Sequence, residues 1–330
     1  MVKYQEIAHL LRHQFERGEY PEGKLPPLRK LAASMGVSYL TARQAVKAFN
    51  EAGWGKTRAS HPLVVMVTPL WAFTEWHRAI RNQTMELGGS IRVIAYGSDT
   101  DPIIADAINQ TEYDLIFLFL PDREDSRLLE LVSKAKDRAV VMFRDFTRYG
   151  IRYMDGPAPH HAEKFMEILK DRGIRRIDAI GRDNDATDIV RHRAWREWLD
   201  RNGMEGKYFN IRHLPFEHDD ISAATRSREL LAGKELGNAV FCLTTSLAYG
   251  LYRACYEYGI VPGRDISIFS FGEPERARMM TPPLATVENI DIAGTVRQVI
   301  LEYCPGAEKS DRLTFRLDNA GIFLGESLIK

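Results

Sequence analysis

Between Ser38 and Lys47 the sequence sets Tyr39, Thr41, Arg43, Gln44 and Lys47 on one side of a run whose other side is apolar through Ala45, Val46 and Phe49. Such side chains, crowded near the start of a helix, suit hydrogen bonding to base edges and phosphates in a DNA major groove. A three-helix scaffold with a merely solvated polar face would show the same periodicity. Catalytic patterns are scarce. No strand candidate is followed by Gly-x-Gly-x-x-Gly, and no Gly-x-x-x-x-Gly-Lys-Ser/Thr loop, Gly-x-Ser-x-Gly elbow or His-Glu-x-x-His pair occurs. The adjacent His160 and His161 fall at the start of a predicted helix, where a solvated first turn is the simpler reading than a metal site. Asp183/Asp185 and Asp219–Asp220 read as polar loops rather than acid–base pairs. No enzyme activity and no cofactor are expected.

The elements that position the polar run are a trio of helices. Residues 3–17 carry Ile7, Leu10, Leu11 and Phe15 at helical spacing, and Gly18 with Pro21–Gly23 ends that helix. Pro26 and Pro27 suit the first turn of a second helix, because proline gives up no internal hydrogen bond there. Its apolar face is Leu28, Leu31, Ala32 and Met35. Gly36 supplies a left-handed turn, Val37 a core plug and Ser38 an N-cap for a third helix over Tyr39–Ala52. Helix, glycine turn and capped helix make a helix-turn-helix.

Charge agrees with that arrangement. Net charge is zero, yet residues 1–60 carry ten Lys/Arg against five Asp/Glu, and the remainder carries the balancing acidic excess. A basic head on a mildly acidic body is expected when only the head meets phosphate. Hydrophobic and charged fractions of 45% and 27% are those of an ordinary globular protein. The start, with Glu6, Glu16 and Glu19 among its apolar residues, lacks a signal-peptide core, and no apolar run reaches membrane-spanning length. Cys242, Cys255 and Cys304 are distant from one another and odd in number, as core residues rather than disulfide or metal partners would be. A cytoplasmic protein without membrane contact is expected.

From Leu63 short apolar runs alternate with amphipathic helices. Strands are predicted at Leu63–Val67, Ile91–Tyr96, Leu115–Leu120, Val140–Phe143, Ile177–Ile180, Tyr208–Ile211, Ala239–Leu243 and Ile266–Phe269. One helix is predicted between most of them, for example at Trp76–Leu87, Arg127–Ala135, His160–Asp171, Ile189–Asn202 and Ser246–Tyr258. Alternation of this kind gives parallel, doubly wound α/β sheets, and a seam near Asp155–Pro159 suggests two similar halves. Ligands bind such folds at the carboxyl ends of the strands, in the crevice between halves.

Two resemblances sharpen this. Leu25–Gly53, LPPLRKLAASMGVSYLTARQAVKAFNEAG, resembles the signature of the GntR regulators. That resemblance implies a winged helix-turn-helix, with Arg29, Thr41 and Arg43 at DNA-contacting positions. Ser38, Tyr39, Gln44 and Lys47 complete the candidate face. Tyr39 stands where an arginine usually opens the recognition helix, and the wing is cropped to Gly55–Ser60, leaving Lys56, Thr57 and Arg58 to touch phosphate. The body resembles the LacI/GalR effector domain, akin to periplasmic sugar-binding proteins, through VVMVTPLWAF, RHRAWREWLDRNG, VFCLTTSLAYG and SIFSFGEPERARMMTPPLATV.

The body resemblance implies a two-subdomain, type I periplasmic-binding-protein-like parallel α/β sensor over 62–330, following a head of residues 1–60. One subdomain takes about 62–155 and 288–318, the other about 156–287 and 319–330. The implied effector site takes Trp71 and Phe73 for stacking, Arg144 and Asp145 at a strand end, Asp155, Arg191 on ligand hydroxyls, and Thr245 and Glu273. Thr245 replaces the family's ligand-binding aspartate, and Gly272–Glu273 replace its Asp-Asp pair. A head and body so joined is the arrangement of arabinose-repressor-like regulators. The expectation is a homodimeric repressor of carbohydrate genes on double-stranded operator DNA, controlled by a small effector that is a sugar or sugar derivative. A solute-binding protein without regulatory DNA binding is the alternative.

Overall fold

In the computed structural model every residue is described except 1–2, 17–19, 21–24, 52–60, 71–74, 99, 121–125, 184, 213–217, 290, 305–306, 308, 318–319 and 330. The chain forms two compact units, Met1–His61 and Pro62–Lys330.

The first unit holds helices α1 (Lys3–Glu16), α2 (Leu28–Ser34) and α3 (Tyr39–Glu51). Pro27 is the N-cap of α2, its carbonyl accepting from the N–H of Lys30 and Leu31. Gly36 sits at φ 61°, the left-handed region that a Cβ disfavours, and Val37 N–H returns to Ala32 O at 3.0 Å. Ile7, Ala8, Leu11, Leu31, Ala45 and Phe49 form the core. Leu10 departs from expectation, being 44% exposed. At about 100° of turn per residue the Ile7–Leu11–Ala8 stripe is centred well to one side of position 10, so the three-residue spacing alone misassigns it. The Phe15 side chain lies outside the described ones.

The second unit is two α/β lobes. In the first run β1 (Leu63–Pro69), α4 (Glu75–Glu86), β2 (Ser90–Tyr96), α5 (Pro102–Asn109), β3 (Leu115–Leu118), α6 (Ser126–Lys134), β4 (Ala139–Met142) and β5 (Arg152–Asp155). In the second follow α7 (Glu163–Asp171), β6 (Asp178–Gly181), α8 (Ala186–Asn202), β7 (Tyr208–Asn210), α9 (Asp219–Ala232), β8 (Ala239–Cys242), α10 (Thr245–Glu257), β9 (Ser267–Phe271), α11 (Pro274–Arg278) and β10 (Ala285–Asn289). The chain then returns: α12 (Ile292–Glu302) packs on α4, β11 (Thr314–Arg316) pairs with β5, and β12 (Ala320–Phe323) closes the second sheet against β10.

The sheet orders are β11-β5-β4-β3-β1-β2 and β12-β10-β9-β8-β6-β7. All pairings are parallel except β10–β12. Both faces of each sheet are covered, which is why β3, β4, β6 and β8 are buried at every position. The chain thus passes between lobes three times, after Asp155, after β10 and after β11, and every pass leaves from the edge where ligands bind in such folds. Strands β5, β10, β11 and β12 were not among those predicted.

Candidate DNA-contacting face and ligand cleft

The head presents α3 on a fixed start. Ser38 Oγ accepts the Thr41 N–H at 3.1 Å and lies 2.8 Å from the Thr41 hydroxyl, so the first turn is capped by its own side chains. Tyr39 is 50% exposed, Thr41 is half-buried, and Arg43, Gln44 and Lys47 are exposed along the same helix. Arg29 is exposed on α2. Ser38 and Thr41 therefore hold the helix start, while Tyr39, Arg43, Gln44 and Lys47 supply its outward chemistry. Lys56 and Arg58 lie outside the described residues.

In the sensor unit the candidate residues divide. Arg191, on α8, lays its guanidinium over the Phe271 ring at 4.1 Å and donates from Nη1 to Leu243 O at 2.7 Å. It is half-buried, and desolvation lowers its pKa despite the attraction of Asp188, Asp185 and Asp155. Asp155 closes β5: Tyr153 donates its hydroxyl to Oδ2 at 2.5 Å, Gly156 N–H to Oδ1 at 2.8 Å, and Arg316 stands 3.6 Å away. Arg144 lies 5.2 Å over Phe146, and Asp145 caps the next turn by accepting from the Thr147 N–H and hydroxyl.

Two candidates are engaged by the protein itself. Thr245 is 1% exposed, its hydroxyl 2.7 Å from Gly272 O and 3.0 Å from Phe271 O, within a buried set shared with Ser270 and Thr286. It braces the β9–α11 corner instead of facing a ligand, because a threonine is too short to reach past the carbonyls it meets. Glu273, at φ 47°, accepts from Tyr249 Oη at 2.9 Å and pairs with Arg276 at 3.4 Å. Trp71 and Phe73 lie outside the described residues.

Residues not singled out in the sequence line the strand ends of the first lobe. Trp76 meets Phe143 edge-on at 5.4 Å, Phe143 meets Phe119 at 5.8 Å, and Phe119 stacks on His77 at 4.3 Å. His77 Nε2 is 2.7 Å from the Thr68 hydroxyl, and burial pulls the imidazole pKa down to about 4. Phe143 is held at φ 63°, an outlier for a bulky residue, with its N–H on Met154 O. A position directly after a strand is the signal that could have found Phe119 and Phe143. At the far end of the crevice Arg182 gathers Asp185, Asp188 and Asp219 at 2.8, 3.0 and 2.7 Å. Asp188 is fully buried, which raises its carboxyl to about 6 against the pull of Arg182.

The comparisons with known proteins follow this division. Residues 3–58 match bacterial regulatory proteins of the gntR family, and residues 166–301 match a periplasmic binding protein-like domain. The chain therefore carries a segment similar to the gntR family ahead of one similar to a periplasmic binding protein-like domain. More particularly, it is similar to the HTH-type transcriptional regulator GalR of Streptococcus thermophilus, with 32% identity over 130 residues, 36% of this chain and 37% of that protein. The HTH-type transcriptional repressor PurR of Actinobacillus pleuropneumoniae is 23% identical over 190 residues, 51% of this chain and 56% of that one. The chain thus spans from about a third to just over half the length of these curated relatives. Among solved structures, the Lac repressor dimer bound to operator and the anti-inducer ONPF superposes with a TM-score of 0.68 at 16% identity, covering 85% of this chain and 99% of that one. A LacI family regulator from Arthrobacter in complex with lactose gives 0.64 at 16%, covering 81% and 99%. At such identity the likeness is one of fold.

Proposed function

We propose that this protein is a sequence-specific DNA-binding transcription regulator, a repressor whose DNA affinity is set by a small ligand in the crevice between the sensor lobes. The observation that carries this is the capped helix α3, with Tyr39, Arg43, Gln44 and Lys47 exposed inside the gntR-family match. The relatives named as transcriptional regulators and repressors support it, as does the lactose held by the Arthrobacter relative of like fold. A homodimer placing two such helices on the half-sites of a palindrome fits this reading, since two-fold proteins bind two-fold sites. The Lac repressor dimer on operator is the parallel of like fold. No described helix is long and apolar enough to cross a membrane, consistent with a regulator working in the cytoplasm. The relatives' regulatory roles likewise favour a protein without catalytic activity.

Selection of bound oligonucleotides from a random pool, followed by fluorescence anisotropy on the enriched site, tests the proposal. Arg43→Ala and Gln44→Ala are expected to lose about tenfold or more on that site. A chain that enriches no sequence is the alternative solute-binding protein.

A further inference from the structure

The outward face of α3 carries one side chain that hydrogen bonding to DNA does not use. Leu40 is 61% exposed and lies outside the core formed by Ile7, Ala8, Leu11, Leu31, Ala45 and Phe49. At about 100° of turn per residue it stands about 180° round the helix from Phe49, which is fully buried. Lys47, Gln44 and Arg43, all exposed, fall within about 60° of it on one side or the other. Leu40 is therefore the middle of the polar face and not its margin. It is also in the first turn, directly after the Ser38 cap that fixes the helix start.

A single exposed leucine on a protein surface carries no message by itself. The setting of this one does. Cations suited to phosphate surround it, with Arg29 and Lys30 exposed on α2 and Arg43 and Lys47 on α3 itself. A leucine held in the middle of such a face enters the groove with it. There it can neither donate nor accept, so a polar base edge that it covers loses water and gains no partner. Thymine alone offers an apolar group in the major groove, its C5-methyl.

We propose that Leu40 reads a thymine in the half-site by packing on its C5-methyl group, and disfavours the other bases there by leaving their edges dry and unpaired. This rests on α3 entering the major groove, as the regulator reading has it. Preference at that base pair comes from a methyl group, whereas at the flanking pairs it comes from the hydrogen bonds of Arg43 and Gln44.

The site enriched by selection is resynthesised with each thymine in turn replaced by uracil, which removes the methyl and leaves base pairing and groove hydrogen bonds unchanged. Anisotropy is then read with the full chain. One thymine of the half-site is expected to lose about fourfold in affinity as uracil, the worth of one buried methyl. At the same position 5-methylcytosine binds more tightly than cytosine. With Leu40→Ala the change from thymine to uracil there costs less than about twofold. Without DNA, Leu40→Ala melts as the wild type does and keeps its oligomeric state in sedimentation, because the side chain points away from the core. A site with no methyl-dependent thymine, or a methyl effect that Leu40→Ala leaves whole, overturns the inference while the regulator reading stands. So does a Leu40→Ala chain that melts well below wild type or changes oligomeric state, which would put the head's own core or a second copy against the leucine. A chain that enriches no sequence overturns both.

Discussion

At His77, burial against Phe119 and the Thr68 hydroxyl keeps the imidazole neutral down to about pH 4. Between that value and the ordinary 6.5 the unfolded chain takes up a proton that the folded chain refuses, so acidification through this window destabilises the fold. The full shift corresponds to about 3 kcal/mol. Asp188 acts in the opposite sense. Its carboxyl keeps its proton up to about 6 in the fold but releases it near 3.8 in the unfolded chain, so raising the pH across that interval costs stability. His77→Gln is therefore expected to flatten the fall in Tm between pH 6.5 and 4.5. Asp188→Asn should raise Tm at pH 7.5 and leave it unchanged at pH 4, both read by thermal melts. An Asp188→Asn variant that melts lower at pH 7.5 would mean attraction to Arg182 outweighs burial. Of the candidate site, the helix that carries Arg191 was legible, expected over Ile189–Asn202 and found over Ala186–Asn202. The orientations of Thr245 and Glu273 were not, because neighbouring carbonyls and the Tyr249 hydroxyl capture them, and those neighbours are distant in sequence.

Among the elements, α3 depends on a single cap. Ser38→Ala removes the acceptor for the Thr41 N–H and is expected to cost about 1 kcal/mol in chemical denaturation, with DNA affinity falling alongside. The pair α9–α10 depends on the absence of a side chain. A Cβ at Gly250 would lie 2.5 Å from Ala223 Cβ, Ala224 N and Asp220 O, two of them backbone atoms that move only with their helix. Gly250→Val should cost about 3 kcal/mol by the same measurement. A change under 1 kcal/mol would show that the helices part easily. The elements found from sequence were those with long apolar periodicity or full burial, such as β1, β3, β8 and α8. Two of those missed, Arg152–Asp155 and Thr314–Arg316, are short and carry charge inside them, so that pairing with neighbouring strands rather than pattern makes them strands. Helices α5, α9 and α12 were given no bounds from sequence, although Asp101 and Asp291 are ordinary N-caps of α5 and α12, accepting from Ile103 and Gly294.

For the whole molecule, one surface ion pair joins the two sensor lobes among the described residues, Arg78 on α4 with Glu275 on α11 at 2.8 Å, half or more exposed on both sides. Exposed pairs contribute about 0–1 kcal/mol. Arg78→Ala is accordingly expected to change the calorimetric affinity of a crevice ligand by no more than about fivefold. A larger loss would make this pair a clasp on closure. The two-lobed plan was legible from alternation and from the seam after Asp155. The returns of α12 and β11 to the first lobe were not, since only the finished sheets say which neighbour a three-residue strand chooses.

Those returns bear on the order in which the protein is made. Val64, Phe117 and Met154 share their core with Ile292, Val296, Val299, Ile300 and Phe315, all of which follow β10 in the chain. Domains fold from the N-terminus as they are synthesised. The helix-turn-helix unit is thus complete once residue 61 has been added, while the first sensor lobe waits with an open face until α12 and β11 have been made. A ribosome that stalls anywhere between the two releases a finished head on an unfinished sensor.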